Sequence, residues 1–172
     1  MEVPVRILVT VASRHGATQE IGDVVAEVLT DAGHEVDQID PDDVGTLAPY
    51  SAVVLGSAVY GGRIAAAIRE LVDRQVAALS DRPVWLFWSG PVGDDPVPPV
   101  EPDDVTTIVR RTGAFEARCF PGRLRSADLG VSERAHAAAI DAEVGDFRDL
   151  DDIQAWAGTI ALQLARPLDP QG

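Results

Sequence analysis

Apolar positions fall into two kinds of run that alternate along this chain. The first kind is short and nearly continuous, over residues 5–11, 36–39, 52–57, 83–89 and 114–120. These segments are rich in Val, Ile, Phe and Trp, and each predicts a strand. The uninterrupted run Ala52-Val53-Val54-Leu55-Gly56-Ser57 predicts one covered on both faces. The second kind recurs at helical spacing. Ile21, Val24, Val25, Val28, Leu29 and Ala32 form a stripe that starts after Thr18 and stops at Gly33, where a helix C-terminal glycine belongs. Ile64, Ile68, Leu71, Val72, Val76 and Leu79 form a second stripe. Further helices are predicted over 105–111, 131–140 and 150–165. The last has Asp149 as its cap and Asp152 in its first turn, buries Ile153, Trp156, Ile160 and Leu164, and is followed by Pro167.

Strands alternating with helices predict a parallel sheet with helices on both faces. Right-handed crossovers leave two common layouts for five strands. In such sheets ligands bind beyond the carboxyl ends of the strands, at a switch point. That rule marks the loops 12–18, 57–62 and 89–102 before any family is considered. No repeat or linker interrupts the pattern, so a single domain over 1–172 is expected, with a frayed tail over 166–172.

Composition narrows the function. The 172 residues suffice for a sizeable core, and no stretch reaches the length and apolarity of a membrane span. The start Met1-Glu2-Val3-Pro4 lacks a basic region ahead of an apolar core, so no secretory leader is expected. A single cysteine, Cys119, excludes an internal disulfide and a Cys-based zinc site, which suits a reducing cytoplasm, the expected location. Acidic residues number 28 against 14 basic ones, all Arg, for a net charge of −14. Such a surface disfavours nucleic acid and anionic membrane. It either steers a basic redox partner or serves solubility alone.

The first marked loop, Ser13-Arg14-His15-Gly16-Ala17-Thr18, joins a strand to a helix. Gly16 permits an unusual turn and close approach of a ligand. Ser13 and Thr18 bring hydroxyls, Arg14 and His15 positive charge, and the free amides at a helix start favour a phosphate. The loop is neither a Walker A motif nor a Gly-x-Gly-x-x-Gly fingerprint. Alone, it reads equally as an ordinary turn capped by Thr18. The second loop, Ser57-Ala58-Val59-Tyr60-Gly61-Gly62, places an aromatic beside glycines. Tyr60 there either covers a flat ring or closes the rim of the core. In the third, Ser89-Gly90-Pro91-Val92-Gly93, the glycines permit backbone approach, and Trp88 at its root is either a second aromatic surface or core.

Together the three loops resemble those of the flavodoxin superfamily, within it the flavodoxin-domain group that includes menaquinone-dependent protoporphyrinogen oxidase. Phe120-Pro121-Gly122-Arg123-Leu124 and Gly145-Asp146-Phe147-Arg148-Asp149 resemble that group's segments after the fifth strand and before the final helix. The resemblance implies a flavodoxin-like three-layer sandwich, its five-stranded parallel sheet in the order 2-1-3-4-5. It also implies noncovalent FMN. Ser13, Arg14, His15, Gly16, Ala17 and Thr18 would hold the phosphate. Ser57, Ala58, Val59, Tyr60 and Gly61 would contact the ring, with Ser89, Gly90 and Gly93 on its far side. His15 stands where many flavodoxins carry Thr, exchanging a hydroxyl for an imidazole. The implied activity is that of an FMN-dependent oxidoreductase acting on protoporphyrinogen or a quinone. The alternative is an electron carrier with no substrate of its own, docking a redox partner protein. In either case the cofactor carries the redox chemistry, so no acid–base catalytic residue is nominated.

Other polar residues have plain readings. His34 follows Gly33 in a turn and is expected to be exposed, and His136 falls among alanines in a helix. Arg123 and Arg125, just past the fifth strand, either meet an anionic substrate or offset the acidic surface. Cys119 is expected to be a buried strand residue rather than a nucleophile. The acidic cluster Asp141, Glu143, Asp146, Asp149, Asp151 and Asp152 lacks the order of a calcium loop, so no metal site is expected.

Overall fold

Strand β1 (Arg6–Ala12) is buried from Ile7 to its end, so each of its faces must meet a hydrophobic layer. The structure, a computed structural model, describes residues 4–13, 16–60, 63–89, 102–120, 123–124, 145–146 and 149–165. Ile7, Val9 and Val11 pack against helices α1 (Ala17–Asp31) and α4 (Leu150–Ala165). Leu8 and Ala12 pack on the opposite side, against α2 (Ala66–Ser80) and α3 (Asp103–Thr112). The remaining strands are β2 (Glu35–Gln38), β3 (Ala52–Tyr60), β4 (Arg63–Ile64), β5 (Val84–Ser89) and β6 (Glu116–Phe120). Strands β3 and β5 repeat the division: Ala52, Val54, Trp85 and Phe87 face α1 and α4, while Val53, Leu55, Val84, Leu86 and Trp88 face α2 and α3. Trp88, 3% exposed, is therefore core.

The sheet runs β2-β1-β3-β5-β6, with these strands parallel. This is the expected 2-1-3-4-5 order with one extra label, because β4 is a short antiparallel partner of β3. The sequence reads 57–62 as a loop. Instead β3 continues to Tyr60 and pairs back, Val59 with Ile64 and Tyr60 with Arg63. Ile64 thus belongs to β4, and α2 starts two residues later. A second small ribbon pairs β7 (Arg123–Leu124) with β8 (Gly145–Asp146). The helix expected over 131–140, with His136, lies outside the described residues.

Two glycines set how closely the layers approach. A Cβ on Gly22 of α1 would lie 2.6 Å from Val11 Cγ2, so its absence lets α1 settle on β1. A Cβ on Gly56 would lie 2.2 Å from Phe87 Cζ, so the Phe87 ring occupies that space on the neighbouring strand. Phe87, Phe120 and Trp156 then meet edge-on, with ring centres 5.5 to 6.1 Å apart. His34 departs from its expected exposure. It is 5% exposed, because its Nδ1 accepts the Val5 N–H at 3.3 Å and the ring lies beneath the start of the first strand. Cys119 is only half-buried in β6.

Candidate functional site

The parallel pairing of β1, β3 and β5 stops at nearly one level, and β3 alone runs on to Tyr60. Ala12 of β1 pairs with Ser57 of β3, which pairs with Trp88 of β5; Ala58 pairs with Ser89, and Ser89 with Phe120 of β6. This register places Ser13, Ser57 to Tyr60 and Ser89 along one edge of the sheet.

At the first loop, Gly16 rather than Thr18 opens the helix. It has φ 85°, a left-handed conformation that a Cβ would strain, and no heavy atom lies within 4 Å of where that Cβ would be. The helix start carries no side-chain cap. Ser13 Oγ accepts the Gly16 N–H at 3.0 Å, fixing the turn and leaving its own proton to donate. Glycine supplies what no capping hydroxyl could, a bare helix end whose first-turn amides face outward. Ala17 is the first helical residue.

Thr18 is 2% exposed and reaches across the edge: its hydroxyl lies 2.6 Å from that of Ser89, itself 7% exposed. Two hydroxyls sharing one hydrogen bond have a second proton to place. Among the described residues no acceptor takes it. The first and third loops are joined here at their roots by groups able to donate to a ligand oxygen.

At the second loop, Ser57 is wholly buried. Its Oγ donates to the Ala58 carbonyl at 2.7 Å and accepts the Ala65 N–H at 2.9 Å, so the side chain tethers the start of α2. Ala58 is buried, and Val59 is half-buried against the α2 side of the core. Tyr60 is the last residue of β3. Arg14, His15, Gly61, Gly90 and Gly93 lie outside the described residues, as does Arg125.

The sequence reading missed a cluster behind the second loop. Asp104, in the first turn of α3, accepts the Ile64 N–H at 3.1 Å and the Arg63 Nε at 3.3 Å through Oδ2. Arg69 Nε donates to the Ile64 carbonyl at 3.0 Å. Asp104 is 40 residues from Ile64 in the chain, between the third loop and the next expected helix, and only the folded topology unites them. A cleft of about 470 Å³ opens beside this cluster, between Ser13, Asp40, Asp42, Arg63 and Arg69. It meets the first two loops on the α2 side of the sheet.

Burial pushes the Cys119 thiol up to about 11, which disfavours the thiolate. Among the described residues no three His, Cys, Asp or Glu side chains gather as a metal site, and no helix is long and apolar enough to cross a membrane.

A strand order of 2-1-3-5-6 with a bare helix end beyond the first strand is a flavodoxin arrangement. A profile of the flavodoxin domain matches residues 8–151. The chain belongs to the flavodoxin-domain family. An archaeal flavodoxin superposes with a TM-score of 0.64 at 16% identity, over 94% of this chain and 99% of that one. The oxidised flavodoxin 1 of Bacillus cereus superposes at 0.61 and 17% identity, over 92% and 97%. The rubredoxin oxygen:oxidoreductase of Desulfovibrio gigas gives 0.66 and 14%, over 95% of this chain but 37% of its own. At such identities these likenesses establish the fold. No curated protein matches the chain by sequence. Membership of the flavodoxin family implies flavin binding, and the level edge described above is where its loops converge.

Proposed function

We propose that this flavodoxin domain binds FMN at the carboxyl edge of its sheet and passes electrons to a partner. The observation that carries this is the uncapped, glycine-opened start of α1, tied across the edge by Thr18 and Ser89. The residues present fit the group. The first-turn amides of α1 and the hydroxyls of Ser13 and Thr18 would hold its phosphate, together with Arg14, His15, Gly16 and Ala17. Backbone groups of Ser57, Ala58, Val59, Tyr60 and Gly61 would flank the ring on one side, and Ser89, Gly90 and Gly93 on the other. The role of Ser57 is backbone only, because its hydroxyl is engaged with Ala58 and Ala65. When bound, the flavin supplies the redox chemistry; the chain binds it, orients it and limits water at its ring.

Among partners, the net charge of −14 favours a basic redox protein. A second reading is an oxidoreductase of the protoporphyrinogen oxidase kind with a quinone acceptor. It is favoured by the pairing of β7 with β8, which joins two segments that carry that resemblance, Arg123 with Asp146 and Leu124 with Gly145. The visible spectrum of the purified protein and its titration with FMN test the proposal directly. Absence of flavin bands together with absence of uptake would overturn it. Reduction by a basic partner that slows as salt rises supports the carrier. Oxidation of protoporphyrinogen with a quinone and no added reductase supports the enzyme.

A further inference from the structure

We propose that Asp104 is a positioning residue that sets the second ligand-edge loop for the cofactor; this rests on the FMN reading above. Strand β4 pairs back onto the end of β3, Tyr60 with Arg63 and Val59 with Ile64, and it is only two residues long. So short a strand has little pairing of its own to hold it. In an antiparallel pair every second residue turns its N–H and C=O away from its partner strand. At Ile64, 1% exposed, both groups are taken by side chains: the N–H by Asp104 from α3, and the C=O by Arg69 from α2. The next amide, of Ala65, goes to Ser57. The chain that leaves the hairpin is thus held at consecutive residues.

Asp104 contributes more than a surface ion pair. Arg63 is 61% exposed on its side chain, and that bridge alone is worth little. The hydrogen bond from the buried Ile64 amide to a carboxylate is the strong part, and removing it leaves a buried donor unsatisfied. A favourable charge at the start of α3 is already supplied by Asp103. Asp104 lies just after residues 90–101, the third loop, and holds the end of the second. A displacement of one loop root is therefore transmitted to the other.

The test compares FMN dissociation constants, both one-electron midpoint potentials and Tm for the wild type, Asp104→Ala, Asp104→Glu, Asp104→Asn and Arg63→Ala. Asp104→Ala is expected to bind FMN about tenfold more weakly, the equivalent of losing one charge-assisted hydrogen bond, and to shift the potentials. Asp104→Glu keeps the charge and the helix but displaces the carboxylate, so it is expected to weaken FMN while lowering Tm no more than Asp104→Ala does. Asp104→Asn keeps an acceptor for Ile64 and is expected to retain most of the affinity. Arg63→Ala is expected to behave as wild type. Wild-type affinity and potentials in Asp104→Glu, or in a folded Asp104→Ala, overturn the role of Asp104. A wild-type protein that takes up no FMN overturns the flavin reading itself.

Discussion

Asp37 accepts three hydrogen-bond donors at one oxygen: the Tyr50 hydroxyl at 2.8 Å, Arg6 Nη2 at 2.8 Å and Arg6 Nε at 3.1 Å. The Tyr50 hydroxyl lowers the carboxyl most, burial opposes it, and the hydrogen bond and charge of Arg6 add to the lowering, so the carboxyl lies below its usual range. A carboxyl lowered in the folded state adds stability above its unfolded value and loses it as pH falls through the folded one. Asp37→Asn is therefore expected to lower Tm at pH 6, with the gap to wild type closing below about pH 4. Thermal melts across that range check it. A second residue-scale prediction concerns Thr18. Thr18→Val leaves Ser89 without its partner and removes a donor, and is expected to weaken FMN about tenfold by titration. At this scale the sequence reveals residue types but not partners. Thr18 reads as a cap because hydroxyls commonly cap, yet a left-handed Gly16 does the opening and frees Thr18 to reach Ser89. His34 reads as exposed because it follows a turn glycine, whereas its Nδ1 finds an amide 29 residues away.

Elements were more legible than contacts, because strands β1, β3 and β5 are mostly apolar and the helices carry clear stripes. The hairpin within the second loop was hidden. Gly61-Gly62 and an arginine break the apolar run, and β4 is too short to show alternation. The fit between β3 and β5 was hidden as well: Gly56 reads only as one member of a buried run, but it makes room for Phe87. Gly56→Ala is expected to destabilise the fold by about 1–3 kcal/mol through overpacking. Phe87→Leu in the same chain should recover part of that loss, because the smaller side chain vacates the space the new methyl needs. A double-mutant cycle from denaturant unfolding measures the coupling, and simple additivity would argue against the packing account.

For the whole molecule, the alternation of runs narrowed the parallel sheet to two layouts, and the resemblance to flavodoxins chose the one observed. The loops at the sheet edge were located by the same rule, while the side-chain ties among them came only with the fold. If FMN binds the folded chain alone, a hundredfold excess over its dissociation constant should stabilise it by about 2.7 kcal/mol, read as a concentration-dependent rise in Tm. The bond between Thr18 and Ser89 joins residues 71 apart and requires β1, β3 and β5 to be side by side first. It therefore forms only with the costly long-range closures of the parallel sheet. FMN added to refolding protein should therefore leave the refolding rate unchanged and slow unfolding, which stopped-flow tryptophan fluorescence resolves. The cofactor would then act as a lock on a finished fold rather than a template for making it.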